Sequence, residues 1–351
     1  MSFYMRHLLL VFVGLGLQYA AAQDSTFRIA LGSCSNQDKD LSILSTVASH
    51  RPNLFVYLGD NIYGDTRNMI VLRNKYRRLK GNPNYQNLKE TSNVIATWDD
   101  HDYGENDAGR HYPFKKQSKR IFLRFLGDPK DSLRKQHDGI YTSFIYPVNN
   151  LLVQVILLDT RTFRDNLLPY SGALKNDTNY RYGLEYDPYD TKDSTLLGEA
   201  QWSWLQERLT QPADIRIIGS STQFATQYNG YETWANFPHE QQRMFETIKA
   251  TNAKGILFIS GDVHYGELSR QDKSTSYPIY DLTCSGLTEK WRFATPNQFR
   301  IGEAVMENHF GIIDINFNQK SIALEIWDKQ NQKVLLHTLP FDEIGISERD
   351  K

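Results

Sequence analysis

Several shortages in the chain each exclude a class of protein. Its 351 residues include only two cysteines, Cys34 and Cys284. A disulfide-stapled scaffold is therefore excluded, and at most one bridge can form. Lysine plus arginine number 40 against 41 aspartates and glutamates, a formal net charge of -1. Without a basic excess there is no electrostatic footprint for stable nucleic-acid binding, and no acidic tail is present either. After the first two dozen residues no apolar run is long enough to cross a bilayer. No Pro/Gly/Ser-rich linker, low-complexity tract or internal repeat divides the chain. A Gly-x-Ser-x-Gly elbow is missing too, which removes support for a serine nucleophile of the α/β-hydrolase kind. No segment points to a protein partner.

What the chain does contain is enough for a sizeable core. Apolar residues make up 40% and aromatics 13%, and the length suits one large domain or two small ones. At the start, Arg6 and His7 precede an apolar run from Leu8 to Leu17, followed by Ala20, Ala21 and Ala22. A short positive region, a short apolar stretch and a small-residue cleavage site predict a signal peptide over 1–22. The alternative is a membrane anchor, for which the run is too short. With no paired arginines, the expected route is Sec-type export, to the periplasm or the outside. That leaves 23–351 as a single catalytic domain with no transmembrane segment after cleavage.

The first half alternates apolar runs with helical patterns. Phe27 to Leu31 reads as a strand, Leu41 to Ser49 as a helix, Leu54 to Leu58 as a strand, Arg67 to Leu79 as a helix and Asn93 to Thr97 as a third strand. This order predicts parallel pairing with helical crossovers. Further on, Tyr141 to Tyr146 and Leu151 to Leu158 read as an antiparallel hairpin, Leu196 to Leu209 as a helix and Ile215 to Gly219 as a strand. A helix begins at Pro238, Gly255 to Ile259 and Ile279 to Leu282 are strands, and the tail from Gly311 to Leu339 is strand-rich. Tyr103 to His137 reads as the lining of a pocket. Mixed sheets with helices outside them predict an α/β/β/α sandwich.

Four of the strands stop at residues of metal-binding type: Gly32-Ser33-Cys34, Gly59-Asp60-Asn61-Ile62-Tyr63, Trp98-Asp99-Asp100-His101-Asp102 and Gly261-Asp262-Val263-His264. Ligands of open α/β sheets bind outside the carboxyl ends of the strands, so four such ends can share one crevice. Each alone has a plainer reading. A Gly-Asp pair is commonly a turn, a buried cysteine commonly fills a core or pairs in an exported chain, and His264 can be an interior histidine. Together they are harder to explain without a cation, above all the adjacent Asp99 and Asp100, whose repulsion a bound cation would remove.

With Leu158-Asp159-Thr160-Arg161 and Leu197-Gly198-Glu199-Ala200-Gln201-Trp202, these segments resemble the motifs of the alkaline phosphatase D (PhoD-like) metallophosphatases, in the calcineurin-like metallophosphoesterase superfamily. They follow that family's order and span most of the mature chain. The resemblance implies an α/β fold built as a four-layer α/β/β/α sandwich of two mixed sheets, hydrolysis of phosphate monoesters or diesters, and a centre of Fe3+ with Ca2+, another divalent ion being possible at the second site. Two features depart from the family. Some members carry a β-sandwich before the first motif and an export signal with paired arginines, and neither is expected here.

The Gly-Asp-x-x-Tyr loop is shared with purple acid phosphatases, a resemblance that implies Asp60 bridging two metals. Cys34, Tyr63 and His264 would complete the first site, where a thiolate and a phenolate favour a ferric ion. Asp100 and Asp262 would join Asp60 at the second, an all-oxygen set that suits calcium. Hydrolysis would proceed by attack of a metal-bound hydroxide, with His101 protonating the leaving group. Arg161 is open between a clamp on the phosphate oxygens and an ion pair with Asp159 or Asp165. The rival functions are hydrolysis of another ester and a non-catalytic phosphate- or metal-binding protein that kept the fold.

Overall fold

The structure, a computed structural model, describes residues 25–173, 176–178, 182–272 and 275–347. The expected signal peptide lies outside the described residues. Among those residues no helix is long and apolar enough to cross a membrane.

Two mixed sheets form the body. The strands of the first are β1 (Thr26–Gly32), β2 (Leu54–Leu58), β3 (Asn93–Thr97), β13 (His309–Asn316), β14 (Ser321–Asp328) and β15 (Lys333–Pro340), in the order β15-β14-β13-β1-β2-β3. Those of the second are β4 (Thr142–Val148), β5 (Leu151–Leu157), β8 (Ile215–Gly219), β9 (Ile256–Ser260), β10 (Gly266–Gln271), β11 (Ile279–Cys284) and β12 (Arg300–Val305), in the order β12-β10-β11-β9-β8-β5-β4. A small ribbon of β6 (Leu168–Pro169) and β7 (Tyr186–Asp187) stands apart from both. The expected parallel pairing is present: β1, β2 and β3 run parallel, as do β5, β8, β9 and β11.

Side-chain alternation explains the layers. On β1 and β2, Phe27, Ile29, Leu31, Leu54, Val56 and Leu58 join the core between the sheets, while Ala30, Phe55 and Tyr57 join a second core on the opposite face. Successive strand residues point to opposite faces, so strands buried on both sides read as continuous apolar runs. The outer face is covered by α1 (Ser42–Ser49), α2 (Met69–Gly81), α3 (Pro83–Thr91), the short α4 (Asp100–Tyr103) and α5 (Lys115–Leu126). The second sheet is covered by α6 (Gly198–Leu209) and α7 (Pro238–Thr251), through Trp202, Leu205, Met244, Phe245 and Ile248. The result is the four-layer α/β/β/α sandwich expected from the sequence.

One reading from sequence is corrected. The stretch Tyr103 to His137 is not simply pocket lining, because α5 lies within it. Its Ile121, Phe122, Leu123 and Phe125 are buried, and Phe122 packs on Trp98 with ring centroids 5.5 Å apart. The apolar residues sit on one face of a strongly basic segment, Lys-Lys-Gln-Ser-Lys-Arg, and that polarity masks the stripe. Helices α3 and α4 and strands β6, β7, β10 and β12 are further elements that the sequence pattern does not predict.

Helix α6 is held by a residue of α7. The buried Glu240 carboxylate accepts the Leu196 and Leu197 N–H groups at 3.0 and 3.1 Å and the Trp202 indole N–H at 2.8 Å. A carboxylate at a helix N-terminus satisfies donors that have no partner within the helix. Glu240→Ala leaves those buried donors without an acceptor. It is expected to lower folding stability by about 2–4 kcal/mol, read as a lower denaturation midpoint at unchanged slope.

Candidate metal centre

Because β1, β2, β3, β5, β8, β9 and β11 share one direction within their sheets, their carboxyl ends open on a common crevice. The loops there are fixed to one another by the sequence motifs. Asp159, just past β5, accepts the Trp98 indole N–H at 3.0 Å, the Ile140 N–H at 2.8 Å and its own loop's Arg161 and Thr162 N–H groups at 3.0 and 2.9 Å. Gln201 of α6 grips the same residue, accepting the Asp159 N–H and donating to its carbonyl, both at 2.8 Å. Asp102 receives the backbone N–H and the side-chain amide of Asn61, at 3.1 and 2.8 Å. These residues hold the crevice rather than face it.

The residues expected to bind metal meet here. Cys34, Asp60 and His264 offer ligand atoms within 4.8 Å of one another, as do Asp60, Asp100 and His101, and as do Asp99, Asp100 and Asp262. Tyr63 reaches the first group, its hydroxyl 3.1 Å from His264 Nε2. Cys34 and Cys284 are both buried free thiols, and the Cys34 sulfur lies 3.5 Å from Asp60 Oδ2 and 3.1 Å from Ser285 Oγ.

Three observations bear on a cation. First, Asp60 Oδ1, Asp99 Oδ2 and Asp100 Oδ1 are buried with no hydrogen-bond partner among the described residues. Buried carboxylate oxygens without partners are costly in a protein alone and ordinary around a metal. Second, Cys34, Asp60, Asp262 and His264 all sit at positive φ, from 46° to 76°. Non-glycine residues seldom adopt this conformation, and strain of this kind gathers at functional sites. Gly59, at φ 103°, allows the turn into Asp60. A Cβ there would lie 2.5 Å from that of Asp99.

Third, the charges are unbalanced. Burial, then Cys34 and the neighbouring aspartates, push the Asp60 carboxyl well above its usual range. Burial with Asp99, Glu232 and Asp100 does the same to Asp262. Burial lifts the Cys34 thiol to about 12 and lowers His264 to about 4, so its imidazole is neutral and able to ligate. Asp100 is different. Burial opposes its ionisation, but Arg161, His101 and backbone N–H groups outweigh it and hold the carboxyl at about 2. An ion bound here would relieve the repulsion that raises Asp60, Asp262 and Cys34. By donor type and by these orphaned atoms, the residues fit a pair of cations.

His101 stands at the rim. Its Nδ1 is 2.6 Å from Asp65 Oδ1, and its ring lies against that of Tyr63 with centroids 4.2 Å apart. Burial works against the imidazolium, but the Asp65 hydrogen bond and the Asp100 charge lift it to about 9.

Arg161 has partners other than those considered from sequence. It is fully buried and pairs with Asp99 and Glu232, with Asp100 at 3.8 Å. Asp159 takes its backbone N–H, and Asp165 pairs with Arg110. A clamp on phosphate needs N–H groups open to the crevice, and this guanidinium is already engaged by carboxylates.

Sequence reasoning missed Asp65, Ser285 and Glu232. Asp65 lies two residues past Tyr63 and Ser285 directly follows β11, so a rule that reads past strand ends would have found both. Glu232 lies in a long loop with no local signal. Ser221, after β8, donates to Asp99 at 2.7 Å.

Comparison with known proteins agrees with this geometry. A family model described as PhoD-like phosphatase matches residues 29–297. Alkaline phosphatase D of Bacillus subtilis (strain 168) is 25% identical over 258 residues, which cover 62% of this chain and 42% of that protein. The chain thus spans less than half the length of this curated relative. A solved structure of PhoD superposes with a TM-score of 0.67 at 16% identity, over 90% of this chain and 72% of the other. A dimetal phosphatase from Danio rerio superposes with a TM-score of 0.57 at 13% identity, over 90% and 99%. At such identities the two structures establish the fold. The family model covers most of the chain, and the chain belongs to the PhoD-like phosphatase family.

Proposed function

We propose that the protein is a metal-dependent phosphoesterase that hydrolyses phosphate monoesters and diesters at the crevice formed by Asp60, Asp100 and Asp262. The observation that carries the reading is the cluster of buried carboxylate oxygens at the joined strand ends that have no hydrogen-bond partner among the described residues. Cys34, Tyr63 and His264 with Asp60 would hold Fe3+, and Asp60, Asp100 and Asp262 would hold Ca2+ or another hard divalent ion. When bound, the ions would supply an activated water and neutralise charge on the phosphoryl oxygens.

The chain's own residues do the rest. Asp65 orients His101 and favours its protonated form, leaving Nε2 to give a proton to the departing oxygen. Arg161 is a positioning residue: it balances Asp99 and Glu232 and so keeps the Asp99-Asp100 turn in place. Ser285 holds the Cys34 sulfur and the His264 N–H, the latter at 2.9 Å. The apolar stretch before Ala22 supports export, to the periplasm or outside the cell. Sizing the mature N-terminus by mass spectrometry tests that.

The first-site assignment has an optical test. A phenolate and a thiolate on a ferric ion give a visible charge-transfer band. In iron-loaded protein, Tyr63→Phe and Cys34→Ser are each expected to shift or remove part of it. An active iron protein whose band ignores both substitutions contradicts the ligand set. The activity is tested by following a chromogenic diester and monoester with protein loaded with iron and calcium. No cleavage above the metal-only background sinks the enzyme reading.

A further inference from the structure

The carboxylate crevice explains where a phosphoryl group would sit, but not what is esterified to it. One side of its mouth is an aromatic wall. The Trp291 ring stands 6.3 Å from the His264 ring at 82°, and its backbone N–H donates to the His264 carbonyl at 3.1 Å. The Tyr231 ring meets Trp291 edge-on at 4.6 Å, and Phe293 lies 5.5 Å from it. Tyr182 closes the group, 5.8 Å from Tyr231 in a near-parallel stack and 5.1 Å from Phe293.

These rings are not core. Phe293 is 38% exposed, and the other three are only partly buried. Yet they are held in place. The Tyr182 hydroxyl donates to the Asn229 carbonyl at 2.7 Å, and the Asn229 side chain accepts the Tyr231 N–H at 3.0 Å. Both loops are also tied to the acidic centre, Trp291 through His264 and Tyr231 through the adjoining Glu232, which pairs with Arg161. A rigid, half-exposed set of rings beside a charged centre suits a ligand with a charged end and a flat apolar end. Tyr63 touches both histidines: its hydroxyl lies 3.1 Å from His264 Nε2 and its ring 4.2 Å from that of His101, whereas Trp291 is in ring contact with His264.

We propose that this wall is a subsite for a planar aromatic or heteroaromatic group, and that the preferred substrate is a phosphodiester whose retained alcohol carries such a group, as a nucleoside does. The proposal rests on the phosphoesterase reading for its catalytic part. Water adds to phosphorus, the alcohol on the His101 side leaves with a proton, and the ring-bearing monoester remains against Trp291. Stacking of a base on an aromatic side chain accounts for the preference.

The test compares trifluoroethyl diesters of adenosine 5′-phosphate and of ribose 5-phosphate. Both release trifluoroethanol and differ only in the base. The adenosine diester is expected to have at least about a tenfold higher kcat/KM, carried by KM. Trp291→Ala is expected to bring the ratio towards one. Phe293→Ala, at the most exposed ring, is expected to reduce it severalfold if the first variant does not fold. Equal kcat/KM values in the wild type, or a ratio unmoved by the substitutions, overturn the subsite. A second readout is calorimetric binding, to metal-loaded protein, of the non-hydrolysable 5′-methylenephosphonate analogues of adenosine 5′-phosphate and ribose 5-phosphate. If neither diester is cleaved yet the adenosine compound binds tighter and Trp291→Ala or Phe293→Ala lowers that margin, the subsite stands and the phosphoesterase reading falls. Equal binding of the two compounds overturns the subsite without reference to turnover.

Discussion

Asp60→Asn is expected to strip the centre of metal and abolish hydrolysis. Asp60 offers an oxygen both to the group of Cys34 and His264 and to the group of Asp100 and His101, so its loss weakens both sites together. The fall in metal affinity should exceed the roughly 10- to 100-fold that follows loss of a mere outer partner of a ligand. The substitution keeps shape and removes charge. Asparagine also tolerates the left-handed backbone that Asp60 adopts at φ 46°. The variant should therefore fold. Without metal it is expected to be at least as stable as the wild type, because burial and the neighbouring acids oppose ionisation of the Asp60 carboxyl and asparagine has no such cost. On adding iron and calcium, the wild type should gain thermal stability by mass action while the variant gains little. Equal gains in both proteins would remove Asp60 from the metal site.

His101→Ala is expected to act on rate and leave metal binding in place. Removal of a general acid costs about two to four orders of magnitude when the leaving alcohol is a poor one. With nitrophenolate, which leaves without protonation, the loss should shrink. Asp65→Asn should show the same dependence on leaving group in weaker form, since Asp65 acts through its hydrogen bond to His101. An equal loss on good and poor leaving groups would count against proton donation. Loss of bound metal in His101→Ala would instead make the imidazole a ligand, as its place beside Asp60 and Asp100 allows.

Much of the fold was legible because the central strands are buried on both faces. Runs such as Leu54–Leu58 and Ile215–Gly219 have few other ways to be satisfied, and they stand where expected. Helices α3 and α5, which the apolar pattern does not reveal, are polar in composition. In α5 the packing of Phe122 and Phe125 on the aromatic cluster overrides what the basic residues suggest.

At the centre, the residues at strand ends could be picked out because chain direction places them together, whatever the loops do. Asp65, Ser285 and Glu232 act through side-chain contacts that cross between loops, and a linear sequence carries little trace of those. Arg161 was visible as a charge, but its engagement depends on Glu232, 71 residues away along the chain. The Leu197-Gly198-Glu199-Ala200-Gln201-Trp202 motif could be recognised but not explained. In the structure Gln201 clamps Asp159, and Trp202 meets Glu240.

The most direct test of the account is a metal titration of chelator-stripped protein, with hydrolysis of a chromogenic phosphodiester as the readout. The account predicts no turnover without metal, and a rate that rises with iron and calcium and saturates at two metal equivalents per chain. A rate that needs no metal, or saturation that persists unchanged in Asp60→Asn, would contradict it.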